Sequence, residues 1–157
     1  MEIQITRALP SDARILTEMV GELLQEIMAA IGSKVFAFEP TETEARVRAW
    51  LSDETYTVFL ARDGGAAAGF VALYQSYALY AEGAFGTIPE LYVRPASRSQ
   101  GVGAGLLAEA KRYARSRNWT RLEVTTPPLP QFDRTLVFYE RHGFGISGGR
   151  KMRVDLR

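Results

Sequence analysis

The stretch at residues 98–107 reads RSQGVGAGLL, and it follows the apolar run LYV at residues 91–93. It places glycine at positions 101, 103 and 105, directly before a segment with helical spacing. Glycine weakens the start of a helix unless the backbone needs a special conformation or lies close to another group. The first N–H groups of a helix have no intrahelical acceptor and attract anions. The stretch therefore predicts a strand–turn–helix unit that binds a phosphate-bearing ligand.

The composition is ordinary for a globular protein of one domain. The chain has 157 residues, of which 46% are hydrophobic and 24% are charged, and this length is enough to bury a sizeable core. The net charge of +1 does not favour nucleic acid or an acidic membrane as a partner. Attraction for an anionic ligand therefore has to be local.

The sequence disfavours disulfides, metal sites, secretion and a membrane span. The sequence has no cysteine, which excludes disulfides, thiolate metal sites and a cysteine nucleophile, and His142 is its one histidine. We therefore expect no metal site. The first residues lack the pattern of a signal peptide, and no run of about 18 apolar residues is long enough to span a membrane. We expect a cytoplasmic protein.

Alternating apolar residues predict strands, and apolar pairs at helical spacing predict helices. In chain order the predicted elements are strand 2–7, helix 15–31, helix 41–51, strands 55–62, 67–78 and 87–94, a helix from the glycine stretch to residue 118, strand 120–125, helix 132–142, and strands 144–146 and 150–156. This order predicts one α/β domain over residues 1–157, with a mixed central sheet.

Local signals add detail to these elements. The sequence TETE at 41–44 fits a capping box that opens the second helix, and residues 79–86 are expected to form a loop. Pro89 lies inside a predicted strand, which implies a strand edge or a bulge because proline cannot donate to a ladder. The third helix is expected to bury one face, made of Val102, Leu106, Leu107, Ala110 and Ala114.

Three glycine-rich phosphate-binding patterns can be compared with residues 98–107. A dinucleotide fingerprint, GxGxxG, fails because the third glycine is misplaced, and a triphosphate loop fails because no Lys-Ser/Thr pair follows. The pattern R-x-x-G-x-G at 98–103 does fit. It closely resembles the acyl-CoA signature of the GNAT superfamily of N-acyltransferases. The sequence FYERHGF at 138–144 resembles the second hallmark of that family, and the element order agrees over roughly residues 50–157.

The resemblance implies a GNAT fold, in which a mixed sheet of about six to seven strands and four helices holds acyl-CoA between two splayed parallel strands. The strand at 90–93 would part from the strand at 120–125, and its exposed backbone would bind the pantetheine arm. The amides that follow would face the diphosphate of acetyl-CoA. The residues implied in this binding are Leu91, Tyr92, Val93, Arg98, Ser99, Gln100, Gly101, Val102, Gly103 and Ala104. The alternative is that the glycines only form a tight turn.

Two residues are implied in proton transfer by the same resemblance. Tyr139 matches the family tyrosine that protonates the leaving thiolate. Glu90 lies on the cofactor strand and is the candidate base, although it can also be a strand residue that faces solvent. His142 adjoins Gly143 at a helix end, where a histidine more often complements the helix dipole.

The acceptor is expected at the loops 28–40 and 74–88, which are rich in aromatic residues. Aromatic rings and a carboxylate suit a small amine. The residues that we expect to bind it are Phe36, Tyr77, Tyr80 and Glu82. The alternative is that the tyrosines of the long strand pack against the first helix.

These observations predict an acetyl-CoA-dependent N-acetyltransferase that acts on the primary amine of a small molecule by direct attack in a ternary complex. One alternative is acetylation of a protein or peptide at its N-terminus or at lysine. Another is a non-catalytic module that binds acyl-CoA. A homodimer through the late strands is also expected from the family.

Overall fold

The computed structural model describes residues 2–157, and in that range the chain forms six strands and four helices. The strands are β1 (Ile3–Arg7), β2 (Thr57–Asp63), β3 (Ala66–Ala78), β4 (Gly83–Ile88), β5 (Leu91–Val93) and β6 (Leu122–Val124). The helices are α1 (Ala13–Ile31), α2 (Pro40–Ser52), α3 (Val102–Ser116) and α4 (Asp133–Arg141). Nine of the eleven predicted elements therefore have a counterpart, which confirms the α/β class.

The sheet is mixed, as predicted. Its order is β1-β2-β3-β4-β6, and β5 continues the line of β4 along the same edge of β3. All pairs are antiparallel except β4 with β6, which is parallel. The chain that joins β4 to β6 contains α3, as expected for a crossover between parallel strands.

Helices cover both faces of the sheet and bury a separate apolar cluster on each. On one face α3 packs through its predicted apolar side, and all five residues of that side are buried. On the other face α1 and α2 cover a second cluster that includes Phe70, Ala72 and Tyr92. Alternate residues of β3 contribute to opposite clusters, because side chains along a strand point to alternate faces.

A one-residue bulge separates β4 from β5. Thr87 pairs with Tyr74 in β3, whereas Leu91 pairs with Val71, so the strand gains one residue relative to its partner. The extra residue lies at Pro89–Glu90, which confirms the bulge that Pro89 implied. Before the bulge β4 pairs with β6 as far as Ile88, whereas after it β5 pairs only with β3. The two strands therefore diverge, as the resemblance implied.

The structure corrects two local predictions. Residues 79–86 are not a loop, because β4 begins at Gly83 and extends the hairpin with β3. The start of α2 is not capped by the predicted capping box: the Glu39 carboxylate accepts the N–H of Glu42 at 2.6 Å. Pro40 then takes the first helical position, where a missing N–H costs nothing.

The two predicted late strands are also absent from the described residues. Residues 145–157 are exposed and contribute to no helix or strand. Met152, Val154 and Leu156 alternate as in a strand but are 91%, 78% and 91% exposed. The prediction of these two strands is therefore wrong: the side chains alternate in character as in a strand, but within residues 2–157 no strand pairs with this segment.

Candidate functional site

The turn between β5 and α3 leaves a row of amide groups without acceptors. The N–H of Arg98 closes a short 3₁₀ turn on Pro95 at 3.3 Å, and the first bond of α3 runs from Gly105 to Gly101 at 3.0 Å. Between these bonds the N–H groups of residues 99–104 donate to no group within residues 2–157. Six consecutive free amides at the positive end of a helix suit a diphosphate.

At each of the three glycines in residues 98–107, a side chain would be unfavourable for a different reason. Gly101 caps α3 with φ +84, a left-handed conformation that other residues rarely adopt. A Cβ at Gly103 would lie 3.0 Å from the ring of Phe138, and one at Gly105 would lie 3.0 Å from Ile5. The missing side chain of Gly103 therefore lets α4 pack against the start of α3.

The outer edge of β5 presents free backbone groups. The bonds from Ala72 N–H to Glu90 O at 2.9 Å and from Arg94 N–H to Ala68 O at 2.8 Å show which residues face β3. Because these groups alternate along a strand, those of Leu91 and Val93 face away, toward the gap beside β6. A ligand with amide groups can pair with this edge as an added strand.

Two residues of the expected cofactor set are engaged elsewhere. The Tyr92 backbone pairs with β3, and its side chain lies on the α1 face, where the hydroxyl donates to Glu22 at 3.1 Å. The Arg98 guanidinium donates to Glu26 at 2.6 Å and to the Val93 carbonyl at 2.9 Å. Arg98 therefore occupies one acceptor on the open edge of β5.

Glu90 lies next to the bulge, on the sheet face covered by α1 and α2. Burial raises the pKa of its carboxyl to about 7, while a hydrogen bond from the Tyr56 hydroxyl, at 3.4 Å, acts in the opposite direction. Near neutral pH the carboxyl is thus divided between its two forms, which suits a general base.

An aromatic cluster, made of Trp50, Tyr56 and Tyr74, lies beside Glu90. The Tyr56 ring stacks on Tyr74 with centroids 5.9 Å apart and contacts Trp50 at 4.8 Å. Of these three residues, only Tyr74 lies in a segment expected from the sequence to bind the acceptor. The predicted hairpin between β2 and β3 is the signal that could have indicated Tyr56, because that pairing sets Tyr56 opposite Tyr74.

Tyr139 lies in α4 and is only 5% exposed. Burial raises the pKa of its hydroxyl to about 12, so the phenol stays protonated at neutral pH. The hydroxyl has no hydrogen-bond partner among the described residues. Every fully enclosed polar side-chain atom in those residues does have a partner. The Tyr139 hydroxyl is therefore not fully enclosed and faces an accessible space. Phe138, the preceding residue, packs at Gly103 and so fixes α4 beside the free amides.

The expected acceptor residues do not come together around Glu90. Phe36 is half-buried in the segment before α2. Tyr77 and Tyr80 are 75% and 76% exposed near the far end of the β3–β4 hairpin. Tyr77 lies five residues from Ala72, the partner of Glu90, or about 17 Å along the strand, and on the opposite face.

The remaining expected residue, Glu82, is exposed at the turn of the same hairpin with φ +60. The described part of the chain also shows no metal-binding cluster and no membrane-spanning helix. No group of three or more His, Asp or Glu side chains there can hold a metal ion. No helix there has the length and hydrophobicity to cross a membrane.

Comparisons with known proteins agree on one family. Residues 21–144 match the model of the acetyltransferase (GNAT) family. The uncharacterised N-acetyltransferase YhfO of Bacillus subtilis (strain 168) is 29% identical over 106 residues, which cover 68% of this chain and 70% of that protein.

Solved structures show the same fold. The chain is similar to a predicted acetyltransferase with acetyl-CoA from Clostridium acetobutylicum, at 17% identity and a TM-score of 0.79 over 99% of this chain and 97% of that one. It is also similar to an aminoglycoside acetyltransferase from an uncultured soil metagenomic sample, in complex with sisomicin. That match has 17% identity and a TM-score of 0.78 over 99% and 97% of the two chains.

Proposed function

Because the chain belongs to the GNAT acetyltransferase family, we propose that it transfers the acetyl group of acetyl-CoA to the primary amine of a small molecule, by direct attack in a ternary complex. The observation that carries this proposal is the row of six free amides, residues 99–104, beside the open edge of β5. A CoA thioester has a diphosphate that can bind to the free amides and an amide-bearing arm that can pair with the edge of β5. The similar Clostridium structure with acetyl-CoA supports the choice of donor.

The backbone does most of the binding. When bound, acetyl-CoA supplies an acyl group that is activated as a thioester. The N–H groups of residues 99–104 hold the diphosphate, and the free backbone groups of Leu91 and Val93 orient the arm in the gap between β5 and β6. Backbone N–H groups aimed at the reacting carbonyl stabilise the negative charge that develops there. Arg98 has to leave the Val93 carbonyl before the arm can pair with it.

Glu90 and Tyr139 transfer the protons. The ammonium of the acceptor has to lose a proton before it can attack, and Glu90, with a pKa of about 7, takes it directly or through water. Tyr139 gives a proton to the sulfur as it leaves, and its pKa of about 12 keeps that proton available. Tyr139 lies on the face of the sheet covered by α3 and Glu90 on the face covered by α1, and we expect both to reach the reacting groups at the gap beside β5.

A small cationic acceptor fits the surroundings of Glu90. The aromatic cluster of Trp50, Tyr56 and Tyr74 offers ring faces next to a carboxylate. Such faces attract an ammonium group, most strongly where water is partly excluded, and this supports a small cationic acceptor. The similar aminoglycoside acetyltransferase is an example of the same fold with an amine-bearing small molecule.

A thiol-release assay tests the proposal. The purified chain is incubated with acetyl-CoA and, separately, with a panel of polyamines, amino acids and aminoglycosides and a panel of peptides with free N-termini or lysines. We expect turnover with a member of the small-amine panel. Turnover with peptides alone would favour protein acetylation, and tight CoA binding without either reaction would favour a non-catalytic module.

Three further properties remain proposals. We expect residues 1–157 to act as one catalytic domain in the cytoplasm. We also expect a homodimer, because the segment after α4 exposes the alternating apolar side chains of Met152, Val154 and Leu156. Light scattering on the native chain and on Val154→Asp/Leu156→Asp measures the mass of each, and only the native chain should have the mass of a dimer.

A further inference from the structure

One carboxylate of α1 binds the residues that come directly before and after Val93. The Glu22 carboxylate accepts the hydroxyl of Tyr92 at 3.1 Å, and it accepts Nε and Nη2 of Arg94 at 3.1 and 2.9 Å. The two bonds from the guanidinium form a bidentate pair, a geometry that fixes the orientation of both side chains. Arg94 also donates to the Ala67 carbonyl of β3 at 3.2 Å. A single side chain of α1 therefore holds the chain on both sides of Val93.

The Glu22 cluster, made of Glu22, Tyr92 and Arg94, is partly shielded from water. The side chains of Arg94 and Glu22 are 27% and 39% exposed, and Tyr92 is only 4% exposed. Exposed ion pairs usually contribute little, but a bidentate pair that also binds a buried hydroxyl has one well-defined geometry. Glu18, one turn earlier on α1, lies 3.8 Å from Arg94 and is 54% exposed. Glu22 is therefore the carboxylate of α1 that holds this part of the chain.

β5 needs an anchor because it pairs on one side only. It has three residues and pairs with β3, whereas the pairing of β6 ends at Ile88, before the bulge. Side chains alternate along a strand, so Tyr92 and Arg94 both point toward α1. The N–H and C=O groups of Val93, which lies between them, face the gap beside β6. The Glu22 cluster thus holds Val93 from behind and leaves its backbone groups open.

We propose that Glu22 is a positioning residue for the acyl donor: through Tyr92 and Arg94 it fixes the backbone of Val93 in the orientation in which the pantetheine arm pairs with it. This inference rests on the proposed function. An edge that is fixed in advance loses little conformational freedom when the arm binds, whereas a loose edge has to be ordered at the expense of affinity. The free amides of residues 99–104 lie beyond the short 3₁₀ turn Pro95–Ser97, so binding of a diphosphate alone should not depend on Glu22.

Isothermal calorimetry with CoA and with ADP tests this inference, because ADP has a diphosphate but no pantetheine arm. In Glu22→Gln the affinity for CoA should fall at least about tenfold, since the variant loses a charge-assisted bidentate pair. Its affinity for ADP should stay within about twofold of the native value. The matched control, Glu18→Gln, removes the same charge one turn away on the same helix and should bind both ligands as the native chain does. Circular dichroism verifies the fold of each variant.

A second variant removes one hydrogen bond and keeps the packing of the ring. Tyr92→Phe leaves the bidentate pair in place and deletes only the hydroxyl that donates to Glu22. We expect the same pattern with a smaller size: the affinity for CoA should fall about threefold, and the affinity for ADP should not change. If Glu22→Gln does not fold, Tyr92→Phe decides the question.

The outcomes separate this inference from the proposed function. Native affinity for CoA in folded Glu22→Gln would overturn the inference and leave acetyl transfer intact. Equal losses for CoA and ADP would also overturn it, because a merely structural role of Glu22 weakens both ligands alike. A native chain that binds CoA but not ADP would contradict the division between arm and diphosphate on which the inference depends. Absence of heat when the native chain is titrated with CoA would instead overturn the proposed function itself.

Discussion

Replacing Glu90 with glutamine should affect stability and catalysis in opposite directions. The carboxyl of Glu90 has its pKa raised by burial from the ordinary value of 4.5 to about 7. The native state therefore holds a proton that the unfolded state releases between these two values, so stability falls as the pH rises from about 4.5 to about 7 and is constant above. At about 1.4 kcal/mol per pKa unit, the loss is about 3 kcal/mol.

Glutamine has nearly the same shape and no charge, so Glu90→Gln should remove this loss. We expect the variant to be more stable than the native chain by about 2–3 kcal/mol at pH 8 and to differ little at pH 4.5. Urea unfolding at both pH values measures the difference. Glu82→Gln, on the exposed hairpin turn, is the control and should follow the native chain at both. An identical pH dependence in Glu90→Gln and the native chain would refute the argument.

The same variant should lose activity, because it cannot accept a proton. In the native enzyme kcat should rise with pH up to about 7 and then level off, and this rise should be absent from the residual activity of Glu90→Gln. Removal of a general base typically costs about 10²–10⁴-fold. A variant with native turnover and an unchanged pH profile would exclude Glu90 as the base, whatever its effect on stability.

Three more variants test the rest of the site. Tyr139→Phe should lower kcat at least tenfold with little change in the affinity for CoA, because it removes only the proton donor; unchanged turnover would exclude this residue from the mechanism. Gly101→Ala should weaken CoA binding, because the left-handed backbone at φ +84 costs about 1–2 kcal/mol for alanine. The control Gly65→Ala, at φ +92 and equally open, should be as strained but bind CoA normally. Glu26→Gln should strengthen CoA binding in calorimetry, because it frees Arg98 from an ion pair of 2.6 Å; weaker binding would contradict this.

The turn and helix around residue 101 could be predicted because their causes are local. Glycines at fixed spacing determine where a left-handed residue can cap the helix, and the apolar spacing determines which face of α3 is buried. All five residues predicted for that face are buried. The same reasoning could not show that Gly103 makes room for Phe138, because the two residues are 35 positions apart and their contact depends on how α4 packs.

The contact between Tyr56 and Glu90 could not be predicted from local patterns. It spans 34 residues and depends on two strand registers. The β2–β3 pairing shifts between Ala61 and Arg62, and a second shift occurs at Pro89. A shift of one residue moves a side chain to the other face of a sheet, so an error at either point would separate these two groups. The proline in the sequence indicates that a bulge is present, but it does not indicate that the bulge brings Glu90 to Tyr56.

The bulge at Pro89 is the feature on which the candidate site depends. In the register of β4, Glu90 would lie opposite Val71 and would point to the face covered by α3. In the register of β5 it lies opposite Ala72 and points to the face of α1, α2 and Tyr56. The extra residue therefore sets the face on which the carboxylate lies, and at the same position β5 separates from β6 and exposes the backbone of Leu91 and Val93. One inserted residue thus places the candidate base and opens the candidate cofactor cleft together, which explains why a proline, normally unfavourable in a strand, is accommodated there.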